Sequence, residues 1–161
     1  MPRRVYFSFH YKNDIQRVVR IRNSGVIKES GQPFIDKAEW EKLKLSGDKT
    51  IEKWIDRQMD GTSVIILCIG LETYKRRWVM HEIAKAYQER RGIVAIYMNG
   101  MKDLNGNSIG FGVNPLSQLQ VKEGEGYKLL SDIYKSYSWV NDDGYNNIED
   151  WISEAAEAAG R

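Results

Sequence analysis

Short apolar runs alternate with segments of helical spacing along most of the chain. The runs lie at Val5 to Phe9, Pro33 to Asp36, Ser63 to Gly70 and Ile93 to Met98, and the second is brief. The third and fourth are almost continuously apolar, which is typical of strands covered on both faces. Tyr134 to Val140 supplies a further run near the end of the chain. This pattern predicts five strands, of which the central ones are buried.

The segments between these strands carry apolar residues at intervals of three and four, which predicts amphipathic helices. Asp48 is a candidate N-cap for one of them. Strands that alternate with helices form a parallel sheet with right-handed crossovers and helices on both faces. The sequence therefore predicts an α/β fold, a flavodoxin-like three-layer sandwich with a parallel central sheet. The helical stripes comprise Ile15, Val18 and Val19; Ile51, Trp54, Ile55 and Met59; Val79, Ile83, Ala86 and Tyr87; and Ile148, Trp151, Ile152, Ala155, Ala156 and Ala159.

Length and composition fit one domain over residues 1–161. A chain of 161 residues with 42% hydrophobic and 29% charged residues is ordinary for a soluble globular protein with a single core. No apolar run approaches the roughly 18 residues of a membrane span, and the start, MPRRVYF, lacks the apolar core of a signal peptide. These features predict a cytoplasmic protein with no membrane partner.

Charge and ligand spacing argue against nucleic-acid and metal binding. The chain has 24 basic and 22 acidic residues, which leaves no broad positive surface for nucleic acid. His10 and His81 stand outside any metal-ligand spacing. Cys68 is the single cysteine, and its setting in VIILCIG indicates a thiol packed in a strand. Catalysis by a thiol or a metal is therefore not favoured.

The regular pattern lapses from about residue 100 to 126. This segment holds six of the fourteen glycines and one of the three prolines. It is predicted to be a long, mostly irregular insertion, and loops of this length in compact domains are often functional or mobile. An irregular excursion over the surface is an equally good interpretation.

Candidate chemistry lies where strands end, because ligands of open parallel sheets bind outside the carboxyl ends of the strands. Ser8, Phe9 and His10 end the first strand, and Asp36 ends the second. The third strand leads into the stretch RRWVMHEI, where a tryptophan stands four residues before Glu82. That spacing places Trp78 and Glu82 together at the edge of the apolar helix stripe. The pair can border a cleft, or it can be an ordinary boundary of the core.

Lys75, Arg76 and Arg77 crowd the start of the same helix. The helix dipole disfavours cations there by about 0.3 to 1 kcal/mol each, so a bound anion such as a pyrophosphate can compensate, although solvated side chains need no partner. The chain has no GxxxxGK[ST] loop, no GxGxxG between a strand and a helix, and no GxSxG elbow. The sequence thus supports neither a P-loop nor a Rossmann dinucleotide site.

The motifs resemble one family in order along the chain. RRVYFSFHYKND, the segment Asp36 to Glu41, SVIILCIG, RRWVMHEI and SWVNDDGYNNIEDWI are similar to the TIR-like proteins of bacterial Thoeris antiphage systems. The resemblance runs from Arg3 to about Trp151. It implies a flavodoxin-like TIR fold and cleavage of NAD between nicotinamide and ribose.

The resemblance also implies roles for individual residues and partners. The essential glutamate of enzymatic TIR domains corresponds to Glu82, and the aromatic residue one turn earlier corresponds to Trp78. NAD is then the substrate, no cofactor is required, and the product is a cyclic isomer of ADP-ribose that activates a separate effector. A phage-derived trigger and self-association are further partners that the family leads us to expect.

The residues suit this chemistry. Nicotinamide in NAD is cationic and departs neutral, so one carboxylate suffices, as stabiliser or as nucleophile. Phe9 and Trp78 are candidates to stack on nicotinamide. Ser8 and His10 are candidates to hydrogen-bond the ribose or diphosphate, and Asp36 is a candidate for the far wall.

Two other functions remain open from the sequence. A nucleoside deoxyribosyltransferase-like enzyme uses a related sheet and a nucleophilic glutamate, but a neutral base needs an acid partner that is not evident here. A catalytically silent TIR-like interaction module, or a receiver, is the alternative from another class. A receiver needs an Asp after its third strand, where IGLETY offers only Glu72.

Overall fold

The computed structural model describes residues 3–24 and 37–161. Within these ranges the main sheet has four parallel strands, in the order β1 (Val5–Ser8), β2 (Val64–Ile69), β3 (Gly92–Tyr97) and β6 (Ser136–Ser138). Every residue of β1 and β2 is buried, which explains why β2 has a continuous apolar sequence.

Helices cover both faces of this sheet. The described helices are α1 (Tyr11–Arg22), α2 (Lys37–Leu45), α3 (Asp48–Met59), α4 (Arg77–Gln88), α5 (Leu130–Ile133) and α6 (Gly144–Ala158). Apolar residues of α1 and α6 form one core cluster with one side of the strands, whereas those of α3 and α4 form a second cluster with the other side. The predicted three-layer α/β sandwich with a parallel sheet is confirmed.

Local differences from the predicted pattern have physical reasons. Helix α2 was not predicted, because its apolar residues are few and none of its described side chains is fully buried. Asp48 is not the N-cap of α3: Gly47 takes that position at φ 98°, and the Asp48 carboxylate instead pairs with Arg77 at 2.9 Å. The predicted strand from Pro33 to Asp36 lies outside the described residues.

The first part of the segment from 100 to 126 has no regular structure, whereas its second part has. A 3₁₀ helix at Pro115–Gln118 precedes an antiparallel hairpin of β4 (Gln120–Glu123) and β5 (Gly126–Leu129). Gly112 packs so closely on the loop after β2 that an added Cβ would lie 1.9 Å from the Gly70 carbonyl oxygen. The insertion is therefore seated on the carboxyl end of the sheet.

No helix in the ranges 3–24 and 37–161 combines the length and apolar character that a bilayer crossing requires.

Candidate active site

The crevice expected of this topology lies between the carboxyl ends of β1 and β2. These two strands are neighbours, but β1 leads into α1 on one face and β2 leads into α4 on the other. In doubly wound sheets, loops that diverge in this way leave a ligand-binding opening. The groups around it come from the loop after Ser8 and from the loop between Gly70 and Arg77.

Glu82 is the carboxyl group at the base of this region. Ser8, fully buried at the end of β1, donates a hydrogen bond of 2.8 Å to Oε1 of Glu82. The Tyr6 hydroxyl, on the same side of the strand, also hydrogen-bonds this carboxyl. Glu82 is only 5% exposed, so it is a buried carboxyl and not a solvated residue at the rim of the helix.

Burial governs the protonation of Glu82. Removal from water raises the pKa of its carboxyl to about 8, although the hydrogen bonds from Tyr6 and Ser8 favour the ionised form and lower the pKa. In the free protein near pH 7 the carboxyl is therefore largely protonated. A cation beside it would favour ionisation. This combination is typical of reactive carboxyl groups in clefts.

His10 lies two residues after Ser8 and fixes the start of α1. It occupies the N-cap position, and its Nδ1 accepts a hydrogen bond from the Asn13 backbone N–H at 3.3 Å. Burial and the nearby positive charge of Arg76 lower the pKa of the imidazole, against the pull of Glu72. His10 is therefore neutral at pH 7, with its remaining ring proton on Nε2.

The two aromatic candidates lie on different faces of the sheet. Phe9 is half-buried against the core cluster on the α1 face and stacks on Tyr11, with ring centroids 6.0 Å apart. Trp78 is half-buried against the cluster on the α4 face, with the Arg77 guanidinium 4.7 Å above its ring and His81 at its edge. Trp78 thus lies on the same face of the sheet as Glu82. The roles of Phe9 and Trp78 in stacking on a substrate stay predictions.

Asp36, the remaining predicted site residue, lies outside the described residues. Two groups at the crevice were not singled out from the sequence. Tyr6 interacts with Glu82. Because side chains alternate along a strand, Tyr6 lies on the same side of β1 as Ser8, so the sequence pattern could have identified it. Asn13 donates a 2.8 Å hydrogen bond to Glu72 and so joins the first turn of α1 to the loop after β2.

Hydrogen bonds from the buried Arg17 tie the insertion to α1. Arg17 lies 3.8 Å from Asp14 and donates hydrogen bonds to the carbonyl oxygens of Met101 and Asn107, at 2.9 and 2.8 Å. Burial raises the pKa of Asp14 to about 6 despite the arginine, and its Oδ2 has no hydrogen-bond partner in the described part of the chain. An added Cβ at Gly70 would meet this oxygen at 2.2 Å. The start of the insertion is thus fastened beside the crevice.

A set of candidate metal ligands lies away from the crevice. Donor atoms of Glu52, Asp56 and His81 lie within 4.8 Å of one another, which the spacing of histidines along the sequence did not show because α3 and α4 each supply part of the set. The Lys85 ammonium lies 3.6 Å from Asp56 and already supplies positive charge there. The arrangement is accounted for as a salt-bridged contact between two helices.

A cleft of about 1020 Å³ opens at the start of β3, between the ends of α4 and α6. Its lining includes Tyr87, Ile93, Tyr134 and Trp151. Ser8, His10 and Glu82 are not among its lining residues. This cleft therefore lies apart from the buried carboxyl, and the case for a reactive site rests on the geometry around Glu82.

Comparison with known proteins gives two matches. The family model for the TIR-like domain of Thoeris protein ThsB matches residues 6–103. A protein of Bacillus cereus (strain MSX-D12) named "Putative cyclic ADP-D-ribose synthase ThsB1" is 32% identical over 192 residues, which covers 95% of this chain and 100% of the relative. The matched range includes Ser8, His10 and Glu82.

Proposed function

Because the chain belongs to the family of Thoeris ThsB proteins with a TIR-like domain, we propose that it cleaves NAD between nicotinamide and ribose. The ADP-ribose part is converted into a cyclic signal of the cyclic ADP-ribose type, which activates a separate effector in antiphage defence. The name of the Bacillus cereus relative supports the product class. The observation that carries the proposal is the buried Glu82 carboxyl, held by Ser8 at the switch point of the sheet.

The bond to be broken joins the ribose C1′ to the pyridinium nitrogen. Its electron pair goes to the ring, which leaves as neutral nicotinamide and needs no general acid. The positive charge that develops on the ribose is stabilised by the Glu82 carboxylate, either through space or by a transient bond to C1′. Ser8 and Tyr6 hold this carboxyl against β1 and so keep it in one position.

Ring closure then requires a nucleophilic atom of the adenosine part to form the new bond to the same C1′. Water competes for this carbon and would give linear ADP-ribose, so exclusion of water decides the product. The insertion is suited to this role because Arg17 and Gly112 hold it beside the carboxyl end of the sheet.

The direct test is incubation of the purified protein with NAD, followed by chromatography and mass spectrometry of nicotinamide and nucleotide products. Glu82→Gln keeps the size of the side chain and removes its charge, so NAD cleavage should fall by about a hundredfold to a thousandfold. Glu125→Gln, an exposed residue of the β4–β5 turn, is the matched control and should behave like the parent. The assay should be repeated with protein from phage-infected cells, since a trigger is expected.

The same assay separates the rival functions. A deoxyribosyltransferase-like enzyme would exchange bases on nucleosides and leave NAD intact. A silent interaction module would release no nicotinamide in either preparation, and Glu82→Gln would then have no catalytic effect.

A further inference from the structure

The insertion crosses the carboxyl end of the sheet beside the crevice. Ile109 packs against the core cluster on the α1 face, whereas Leu116 is buried in the cluster on the α4 face. Between them, Gly112 lies against the carbonyl oxygen of Gly70, the first residue after β2. Neighbouring strands are about 4.8 Å apart, so the crossing lies one strand spacing from the end of β1, where the Glu82 carboxyl is held. The insertion therefore borders the crevice.

Arg17 fastens the insertion on the α1 side of this crossing. Its buried guanidinium donates hydrogen bonds to the carbonyl oxygens of Met101 and Asn107, at 2.9 and 2.8 Å. A backbone hydrogen bond of 2.9 Å from Gly100 to Ile109 closes the loop that contains both acceptors. Arginine presents a rigid fork of donors, whereas lysine has one ammonium on a flexible stem. A lysine at this position would therefore keep the charge and lose the fixed contact with two carbonyls.

The contact between Gly70 and Gly112 has no room for a side chain. A Cβ added at Gly112 would lie 1.9 Å from the Gly70 carbonyl oxygen. Gly70 is itself held in place, because the Asp14 carboxyl lies against its α-carbon, where an added Cβ would meet Oδ2 at 2.2 Å. The Thr73 hydroxyl oxygen also accepts a 2.8 Å hydrogen bond from the Gly70 N–H. A side chain at position 112 must therefore displace the insertion from the loop after β2.

Access of water to the ribose decides between two products of the proposed reaction. In both cases the bond from C1′ to the pyridinium nitrogen breaks, and its electron pair leaves with nicotinamide. The new bond to C1′ takes its electron pair from water, which gives linear ADP-ribose, or from a nucleophilic atom of the adenosine part, which gives a cyclic isomer. One proton passes to solvent in either case. A wall that excludes water therefore raises the share of cyclic product.

We propose that Arg17 and Gly112 determine the ratio of cyclic to linear product by holding the insertion beside the crevice, an inference that rests on the function proposed above. Both are positioning residues, because each acts through the place of the insertion and not on the ribose itself. Arg17 secures the insertion on the α1 face, and Gly112 lets it approach the end of β2. Disturbance at either point should admit water to C1′ while Ser8 still holds the Glu82 carboxyl, so NAD cleavage continues and the product changes.

Product analysis of Gly112→Ala tests the inference. Purified full-length protein is incubated with NAD, and nicotinamide, cyclic product and linear ADP-ribose are quantified by chromatography and mass spectrometry. The ratio of linear to cyclic product should rise at least about tenfold, whereas total nicotinamide release should stay within about threefold of the parent. Gly110→Ala is the matched control: nothing lies within 4 Å of a Cβ added there, so it should keep the parent ratio. An unchanged ratio in Gly112→Ala, or an equal loss of both products, contradicts the inference and leaves the proposed function intact.

Arg17→Lys tests the other point of attachment without a change of charge. It should raise the same ratio at least about tenfold and should accelerate cleavage by trypsin after the exposed Lys102, which adjoins the Met101 carbonyl. Arg20→Lys, at an exposed position of the same helix, is the control for both measurements. Faster proteolysis with an unchanged product ratio would show that Arg17 fastens the insertion without influence on the product, which contradicts its proposed role. Absence of nicotinamide release from the parent, also when it is taken from phage-infected cells, contradicts the proposed function and the product role together, whereas proteolysis still measures the attachment by Arg17.

Discussion

The Ser8 hydroxyl donates a 2.8 Å hydrogen bond to Oε1 of Glu82, which joins the last residue of β1 to the second turn of α4 across 74 positions of sequence. Both side chains are buried, so the bond is shielded from water. The carboxyl is held in place, but its ionised form is disfavoured by desolvation.

The rate of NAD cleavage should rise with pH through the pKa of Glu82. Because burial raises this pKa to about 8 and the ionised form stabilises the ribose cation, kcat/KM should increase about tenfold per pH unit below 7 and level off above about 9. Initial rates of nicotinamide release from pH 5.5 to 9.5 give the profile. A flat profile, or an inflection near 4.5, would show that ionisation of Glu82 does not limit the reaction.

Glu82 should also make the folded state less stable at alkaline pH. The folded protein keeps this proton up to about pH 8, whereas the unfolded chain releases it near pH 4.5, so the free energy of unfolding falls as pH rises between these values. The limit is about 1.4 kcal/mol per pH unit. Urea denaturation at pH 6.5, 7.25 and 8 measures the slope.

Glu82→Gln is the comparison for this slope, because the amide does not ionise. Its stability relative to the parent should increase as pH rises. The range above pH 6.5 avoids Asp14, whose raised pKa of about 6 gives a similar loss of stability at lower pH, and largely avoids His10, whose lowered pKa acts in the opposite direction. A constant difference between the two proteins across this range contradicts the assignment.

Ser8→Ala should shift the pH profile upward. The variant loses a donor to the carboxylate, so the pKa of Glu82 should rise by roughly half a unit to one unit. Cleavage at pH 7 should then fall about threefold to tenfold and recover above pH 9. Ser131→Ala, on α5, is a control that should leave the profile in place. Loss of activity that higher pH does not restore would indicate a role for Ser8 other than tuning Glu82.

Trp78→Ala should reduce NAD cleavage more than Trp78→Phe, because a phenyl ring retains part of a stacking surface for nicotinamide. The indole also packs against the core cluster on the α4 face, so some loss of stability is expected in the alanine variant. Turnover must therefore be expressed per folded protein, with the folded fraction taken from thermal denaturation. Full turnover in the folded fraction of Trp78→Ala would identify the indole as a packing residue alone.

Amide exchange should divide the insertion into two parts. Residues 102–111 lack regular structure and are mostly exposed, so their amides should exchange fast relative to those of β2. The hairpin should be more protected, because β4 and β5 pair with each other and Glu123 accepts a 2.8 Å hydrogen bond from Tyr87. Protection across 102–111 equal to that of β2 would show that the whole insertion is a packed element.

The sequence predicted the fold class because buried parallel strands have a local signature. The runs that became β1, β2 and β3 were identified within a residue or two of their ends, and the helical stripes of α1, α3, α4 and α6 mark the sides that pack on the sheet. Helix α2 was not predicted because it buries few apolar side chains. The hairpin was not predicted because its strands are mostly exposed and glycine interrupts the alternation of apolar and polar residues. Exposed elements leave a weak pattern of apolar residues.

The sequence by itself also determined which residues could carry chemistry: a glutamate on the helix after β2 and polar groups at the end of β1. It did not determine that Glu82 is buried, that Ser8 and Tyr6 reach it, or that Arg77 pairs with Asp48. Those facts depend on contacts between segments far apart in sequence. The order of strands sets β1 beside β2, and the packing of α4 on that pair removes water from the carboxyl. Only the tertiary structure decides this desolvation, because a pKa depends on every group that surrounds the site and not on the residue type alone.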